Sequence, residues 1–129
     1  MIARALRRCA LLLLVAALVR PATAKDDAPT RLLRQPTVSQ NHIVFAYAGE
    51  LWRVGHNGGD AERLTSFRGV ASHPRLSPDG EQVAFSGTYK GQTDVYLVPI
   101  DGGTPERLTW HPSSDEVQGW APDGSHVLF

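Results

Sequence analysis

RLSPDGEQVAF, residues 75–85, sets a Pro-Asp-Gly triplet between two short apolar runs, and WAPDGSHVLF, residues 120–129, repeats the plan. The triplet has a specific backbone use. Pro78 presets φ for the second position of a type I turn, and Asp79 suits the third. Gly80 can take the left-handed conformation that closes such a hairpin, where a side chain costs roughly 1–2 kcal/mol. Pro122, Asp123 and Gly124 offer the same chemistry, and Asp101-Gly102-Gly103 reads as a further hairpin turn. Turn chemistry accounts for Asp79 and Asp123, so neither is taken as catalytic.

The repetition extends well beyond the triplet. Leu51–Val54 aligns with Val95–Val98, Gly58-Gly59 with Gly102-Gly103, and Glu62-Arg63-Leu64-Thr65 with Glu106-Arg107-Leu108-Thr109, all at an offset of 44. Further upstream, Pro36–Ser39 aligns with Pro74–Ser77 at 38, and Phe45 with Phe85 at 40. The earlier copy therefore lacks two residues at its first turn and four further on. The second shortfall is expected in a loop, because joins between strands tolerate length changes best.

A period of about 44 residues built from short β segments is that of propeller blades, which have four strands each. The run Asp94–Val98 supports stacking of such blades. Val95 and Leu97 point one way and Tyr96 and Val98 the other, so both faces are apolar and both need cover. No helical period is sustained after residue 24. The expected fold is all-β: four-stranded antiparallel propeller blades in an incomplete ring. Blade one covers 36–70, blade two 71–114, and the start of blade three 115–129. Strands are expected near 36–39, 42–47, 50–55 and 62–65, then 73–77, 82–87, 93–100 and 106–109, then 117–121 and 126–129. Closed propellers have about four to eight blades, so this stretch reads as the start of a longer protein. An isolated piece of such a ring is expected to aggregate or order only in part.

The amino terminus has a different character. Arg4, Arg7 and Arg8 precede the apolar run Ala10–Val19, and Ala22-Thr23-Ala24 follows Pro21. This is the pattern of a secretory signal-peptide helix over 1–24, cleaved after Ala24. The run is about half the 20 residues a membrane span needs, so no stable span is expected. Residues 25–35 read as a tether. Export to a periplasmic or extracellular compartment follows from the leader.

Removing residues 1–24 leaves nine basic against 13 acidic residues, a net charge of −4, and takes away the single cysteine, Cys9. No basic cluster remains to hold nucleic acid. No disulfide or thiolate metal site is possible in the mature chain. His42, His56, His73, His111 and His126 are scattered, without metal-ligand spacing, so no metal or cofactor is expected. No G-x-S-x-G elbow occurs. Ser113 and Ser114 beside His111 read as a loop around Pro112 rather than a catalytic pair. Trp52 and Trp120 occupy repeated positions and read as packing residues. Trp110 stands where the earlier copy has Ser66. It shares a loop with His111, Asp115 and Glu116, and these four residues are the candidates for peptide contact.

The runs LLRQPTVSQNHIVFAYAGELWRV (32–54), GGDAERLTSF (58–67) and SHPRLSPDGEQVAFSGTYKGQTDVYLVPIDGGTPERLTWHP (72–112) together resemble the first propeller of tricorn-like proteases. The SPDG and RLT motifs alone are shared with TolB-type propellers and those of prolyl oligopeptidase relatives. RLTWHPSSDEVQGWAPDG (107–124), beside the Gln35-Pro36 start, favours tricorn. Gln40-Asn41 departs from the motif where Pro-Asp-Gly would stand. The resemblance implies a large serine peptidase whose propellers precede a PDZ-like module and a carboxyl-terminal catalytic region. In that family the propellers filter and guide peptides, often within a homo-oligomer. It implies no catalytic residue in this stretch. The partners it implies are peptides and the remaining domains of the same chain. A TolB-like envelope scaffold and a prolyl oligopeptidase-type propeller remain as alternatives.

Overall fold

β-Branched and aromatic residues recur in short runs between turn signals, and these runs form ten strands in the computed structural model, which describes residues 32–66 and 68–129. Strands β1 (Arg34–Val38), β2 (His42–Tyr47), β3 (Glu50–Gly55) and β4 (Glu62–Arg63) pair in that order as one antiparallel sheet. Strands β5 (Val70–Leu76), β6 (Gln82–Tyr89), β7 (Gln92–Pro99) and β8 (Glu106–Arg107) form a second sheet of the same order. Strands β9 (Gly119–Trp120) and β10 (Val127–Leu128) form a smaller third. No helix occurs among the described residues. The expected signal-peptide helix and most of the expected tether lie outside them. Arg34 and Gln35, assigned to the tether from sequence, belong to β1.

The second sheet is covered on both sides. Val83, Phe85 and Val98, with Tyr96, face the first sheet and meet Val44, Ala46, Leu51 and Leu64 there. Ala84 and Val95, with Leu97 and Leu108, face the third sheet and meet Val117, Trp120 and Val127. Phe85 is fully buried and stacks on Tyr96 with ring centroids 5.5 Å apart. The alternation read from Asp94–Val98 is thus the alternation of two separate cores.

The two four-residue Glu-Arg-Leu-Thr segments make shorter strands than expected. The strands end at Arg63 and Arg107, and beyond them the Leu64 amide bonds the Leu51 carbonyl and the Leu108 amide the Val95 carbonyl, each at 2.8 Å. The buried hydroxyls of Thr65 and Thr109 take over, accepting the amides of Leu51 at 2.9 Å and Val95 at 3.0 Å. A side-chain acceptor here replaces a ladder carbonyl, so the motif ends the strand instead of extending it.

The length difference between copies also falls differently from expectation. Strands β6 and β7 each have eight residues where β2 and β3 have six. The loops are alike: Ala48-Gly49 and Lys90-Gly91 both connect their strands with two residues at positive φ. That is the signature of a type I′ hairpin turn. The extra residues therefore lie in the strands, two in each. An even number preserves which side chains face each core, whereas an odd number would invert the sheet.

The first strand of each four-stranded sheet, β1 and β5, carries a bulge just before a proline. The register slips between Arg34 and Thr37 in β1 and between Ser72 and Arg75 in β5, with Gln35 at φ 53° and His73 at φ 49°. The bulge leaves an amide without a ladder partner. Gln35 Oε1 of the first sheet accepts the His73 amide at 2.8 Å. The defect in one sheet is thereby satisfied by the other.

Phe85→Ala removes the ring packed between the first and second sheets. We expect a loss of about 3–5 kcal/mol, the range for a buried aromatic truncated to alanine, measured as a shift in urea-unfolding midpoint at constant m.

Candidate functional site

The turn residues sit where their chemistry places them. Gly80 has φ 76° and Gly124 φ 73°. A Cβ on Gly80 would also lie 3.2 Å from the Ser39 side chain, so this glycine serves both the turn and the contact between the first two sheets. The Ser77 hydroxyl donates to Asp79 Oδ1, which also accepts the Glu81 amide at 3.0 Å. Ser125 does the same for Asp123 through its hydroxyl and amide. These donors, the serine hydroxyl first, hold both carboxylates below the ordinary aspartate range. Both aspartates close their turns through Oδ1. In the first sheet Gln40-Asn41 makes a turn two residues shorter, and Ser39 Oγ accepts the His42 amide at 3.1 Å.

Trp120 lies in a core, as its repeat position suggests, whereas Trp52 is half-buried and belongs to neither core. Trp52 meets Tyr47 edge-on at 6.3 Å and donates its indole N–H to the Tyr47 carbonyl at 3.3 Å. Trp120 packs in the second core and donates to the Arg75 carbonyl at 2.9 Å, joining the third sheet to the second. Trp110 is 70% exposed.

The loop that carries Trp110 is held from beneath. Gln92 Nε2, at the end of the lengthened hairpin, donates to the carbonyls of His111 at 3.0 Å and Ser113 at 2.8 Å. The Ser113 amide donates to His111 Nδ1 at 3.2 Å. Arg107 bonds the Thr109 carbonyl through Nε at 2.7 Å, and its guanidinium carbon stands 5.9 Å from the Trp110 ring centroid. Arg107 also pairs with Asp94, whose side chain is only 4% exposed, at 2.8 Å. Of the four candidate contact residues, Trp110 and His111 share this surface. Asp115 is tied to the same hairpin, its amide bonding the Thr93 carbonyl at 2.9 Å, and one of its carboxylate oxygens is enclosed. Glu116 is exposed beside it. Sequence reasoning missed Gln92, Tyr89 and Lys90. The signal was available in Tyr47-Ala48-Gly49 and Tyr89-Lys90-Gly91, an aligned pair at an offset of 42.

The histidines do not converge. His73 Nδ1 lies 3.3 Å from Ser72 Oγ, His56 Nδ1 lies 3.3 Å from the Ser39 carbonyl, and His126 contacts Ser125. No group of three or more metal-ligating side chains occurs among the described residues. Beside the third sheet, Val95, Leu97, Leu108, Trp120, Val127 and Phe129 line an open apolar groove of about 360 Å³. It is the counterpart of the space that Tyr96 and Val98 fill between the first two sheets.

Repeated four-stranded antiparallel sheets, stacked face to face through apolar cores, define this protein as an array of β-propeller blades. The family described as "Tricorn protease N-terminal beta propeller domain" matches residues 30–129, and the chain belongs to it. It is 36% identical over 100 residues to "Tricorn protease homolog 1" of Streptomyces coelicolor, a match covering 77% of this chain and 9% of that protein. Its structure superposes on the crystal structure of the tricorn protease with a TM-score of 0.65 at 25% identity, over 73% of this chain and 10% of the other. TolB from Acinetobacter baumannii shares the fold, with a TM-score of 0.63 at 21% identity over 73% of this chain and 25% of TolB. The chain thus spans about a tenth of the tricorn proteins it matches.

Two outcomes follow from these contacts. A carboxylate whose folded pKa is depressed stabilises the fold above its unfolded pKa, near 3.8, and that gain is lost as pH falls through the folded value. The stability difference between the wild type and Asp79→Asn should therefore be largest near neutral pH. It should shrink as pH drops below about 4, followed by urea unfolding across the pH series. Separately, Gln92→Ala should raise amide exchange at residues 111–114 while leaving β6 and β7 protected, as read by hydrogen–deuterium exchange.

Proposed function

We propose that this chain is the opening part of the amino-terminal propeller of an exported tricorn-like serine peptidase. In this reading the propeller filters and positions peptides for a catalytic region elsewhere in the protein and supplies no catalytic group itself. What carries the reading is the family match over residues 30–129, which takes in every strand of the three sheets. The leader pattern of residues 1–24 supports a periplasmic or secreted setting. The fraction of tricorn relatives that this stretch covers supports partnership with further domains of the same protein. Assembly into a homo-oligomer belongs to the same proposal.

The comparable fold likeness to TolB supports a second reading, a binding scaffold of the cell envelope without chemistry. One experiment separates the two. The product of the complete reading frame is purified and assayed on fluorogenic peptides with and without a serine-directed phosphonylating inhibitor. The peptidase reading expects turnover that the inhibitor abolishes, together with a mature amino terminus at Lys25. No turnover, or a frame ending after its last propeller strand, would favour the scaffold. Residues 25–129 alone should hydrolyse nothing.

A further inference from the structure

Four connections between strands close on the same turn. The carbonyls of Gly55, Ser77, Pro99 and Ala121 accept the amides of Gly58, Gly80, Gly102 and Gly124, three residues on, each at 2.9 Å. All four donor glycines have positive φ, between 73° and 91°. The residue before the glycine is an acid in three of these turns: Asp79, Asp101 and Asp123. In the connection from β3 to β4 it is Asn57, aligned with Asp101 at the offset of 44. An amide therefore stands at a position where the chain otherwise uses a carboxylate.

The four side chains also differ in how they are held. Asp79 Oδ1 accepts the Ser77 hydroxyl and the Glu81 amide, and Asp123 Oδ1 accepts the hydroxyl and amide of Ser125. Asp101 Oδ1 accepts Arg53 Nη1 at 3.0 Å. The Asn57 side chain makes no hydrogen bond among the described residues, and it is exposed together with Gly58 and Gly59. Nothing lies within 4 Å of where a Cβ on Gly58 would stand. With no Cβ on that glycine, nothing bars the Asn57 side chain from its backbone nitrogen. The restraint left is the bond from Gly58 to Gly55, and an exposed turn of this kind opens far more readily than a sheet.

We propose that Asn57 is a site of spontaneous deamidation and that the fold accepts the aspartate it yields. When the turn opens, the Gly58 amide gives its proton to hydroxide and its nitrogen bonds to Asn57 Cγ. The bond from Cγ to the side-chain nitrogen breaks, and that nitrogen takes a proton and leaves as ammonia. Water then adds to the succinimide ring and breaks one of its C–N bonds. Breakage at Cγ gives an aspartate, the residue this turn already carries at Asp101. Breakage at the main-chain carbonyl carbon gives an isoaspartyl link, which lengthens the backbone by one carbon and misplaces the Gly58 amide. That backbone leads to Glu62, which holds Arg53 against the Ile100 carbonyl of the second sheet. The isoaspartyl form therefore loosens the first junction. Asp79, Asp101 and Asp123 resist the same ring closure, because an ionised, hydrogen-bonded carboxylate is a poor electrophile. The site stands whether or not the whole protein is a peptidase.

The test incubates the full chain at mildly alkaline pH in water enriched in oxygen-18. The chain is then digested with trypsin in ordinary water and mapped by mass spectrometry. Trypsin separates the two asparagines, placing Asn57 in residues 54–63 and Asn41 in residues 35–53. Opening of the ring carries one heavy oxygen into its peptide, which marks conversion in the folded protein. Label should enter 54–63 at least about tenfold faster than 35–53, because His42 after Asn41 has the Cβ that Gly58 lacks. Gly58→Ala should slow it about tenfold. That variant is strained at φ 91°, so its Asn41 label serves as the internal check that the fold is intact. Asn57→Asp should keep the urea midpoint of the parent, and the isoaspartyl form, separated by chromatography, should unfold at lower urea. No label in 54–63, equal label in both peptides, or unchanged labelling in a folded Gly58→Ala would overturn the site. A lowered midpoint in Asn57→Asp, or an isoaspartyl form as stable as the parent, would overturn what the fold is said to accept.

Discussion

A β-sheet with apolar side chains on both faces cannot stop at a water boundary on either side. That constraint organises this protein. Sheet two shows it most fully: Phe85 and Tyr96 on one face and Ala84 and Val95 on the other are buried in two different cores. Each face is covered by a copy of the same design, so the solution to one sheet's exposure creates the same need in the next. At roughly 25 cal/mol per Å² of apolar area removed from water, this stacking is the largest favourable contribution available. The short outermost strands add little to it.

Polar contacts then fix how the sheets stand on one another. The Ala71 amide bonds the Gly49 carbonyl across the first junction at 2.8 Å, and the Asp115 amide bonds the Thr93 carbonyl across the second at 2.9 Å. These are the same bond one repeat apart. Other contacts belong to a single junction. Arg53 reaches from β3 to the Ile100 carbonyl at 2.7 Å and to Asp101 at 3.0 Å, and Glu62 holds its far side. These acidic partners keep the guanidinium firmly protonated. At the second junction Leu97 stands at the aligned position, and Arg75 and Trp120 make the polar link instead. Apolar stacking is repeated faithfully, while the directional bonds vary from one junction to the next. Apolar contact is non-directional and tolerates such variation.

The peptide-facing reading draws on the same division. Positions that repeat are taken up by the cores and the turns, which is why Trp52, Trp120, Asp79 and Asp123 have structural partners. Positions that break the repeat stay free for other work. Trp110 in place of Ser66, and the longer hairpin beneath it, are two such breaks, and the structure brings them together through Gln92. Trp110 and His111 could be singled out from the sequence because they fell outside the pattern. Gln92 and Lys90 left only the fainter signal of the Tyr-x-Gly pair at an offset of 42, because the Ala-Gly and Lys-Gly turns lack the Asn or Asp that usually marks a type I′ hairpin.

Periodicity alone determined the fold class, the antiparallel order of strands, the PDG turns and the two-faced character of β7. These follow from local rules, namely alternation along a strand and the φ that proline and glycine permit. Strands β2 and β3 were legible to the residue for that reason. Only the tertiary structure decided where the four extra residues of the second copy lie and why Glu-Arg-Leu-Thr ends its strand early. It alone showed that the bulge at His73 is satisfied by Gln35 in another sheet. Each of these depends on a partner many residues away, and a hydrogen bond or a register leaves no trace in the spacing of one segment by itself.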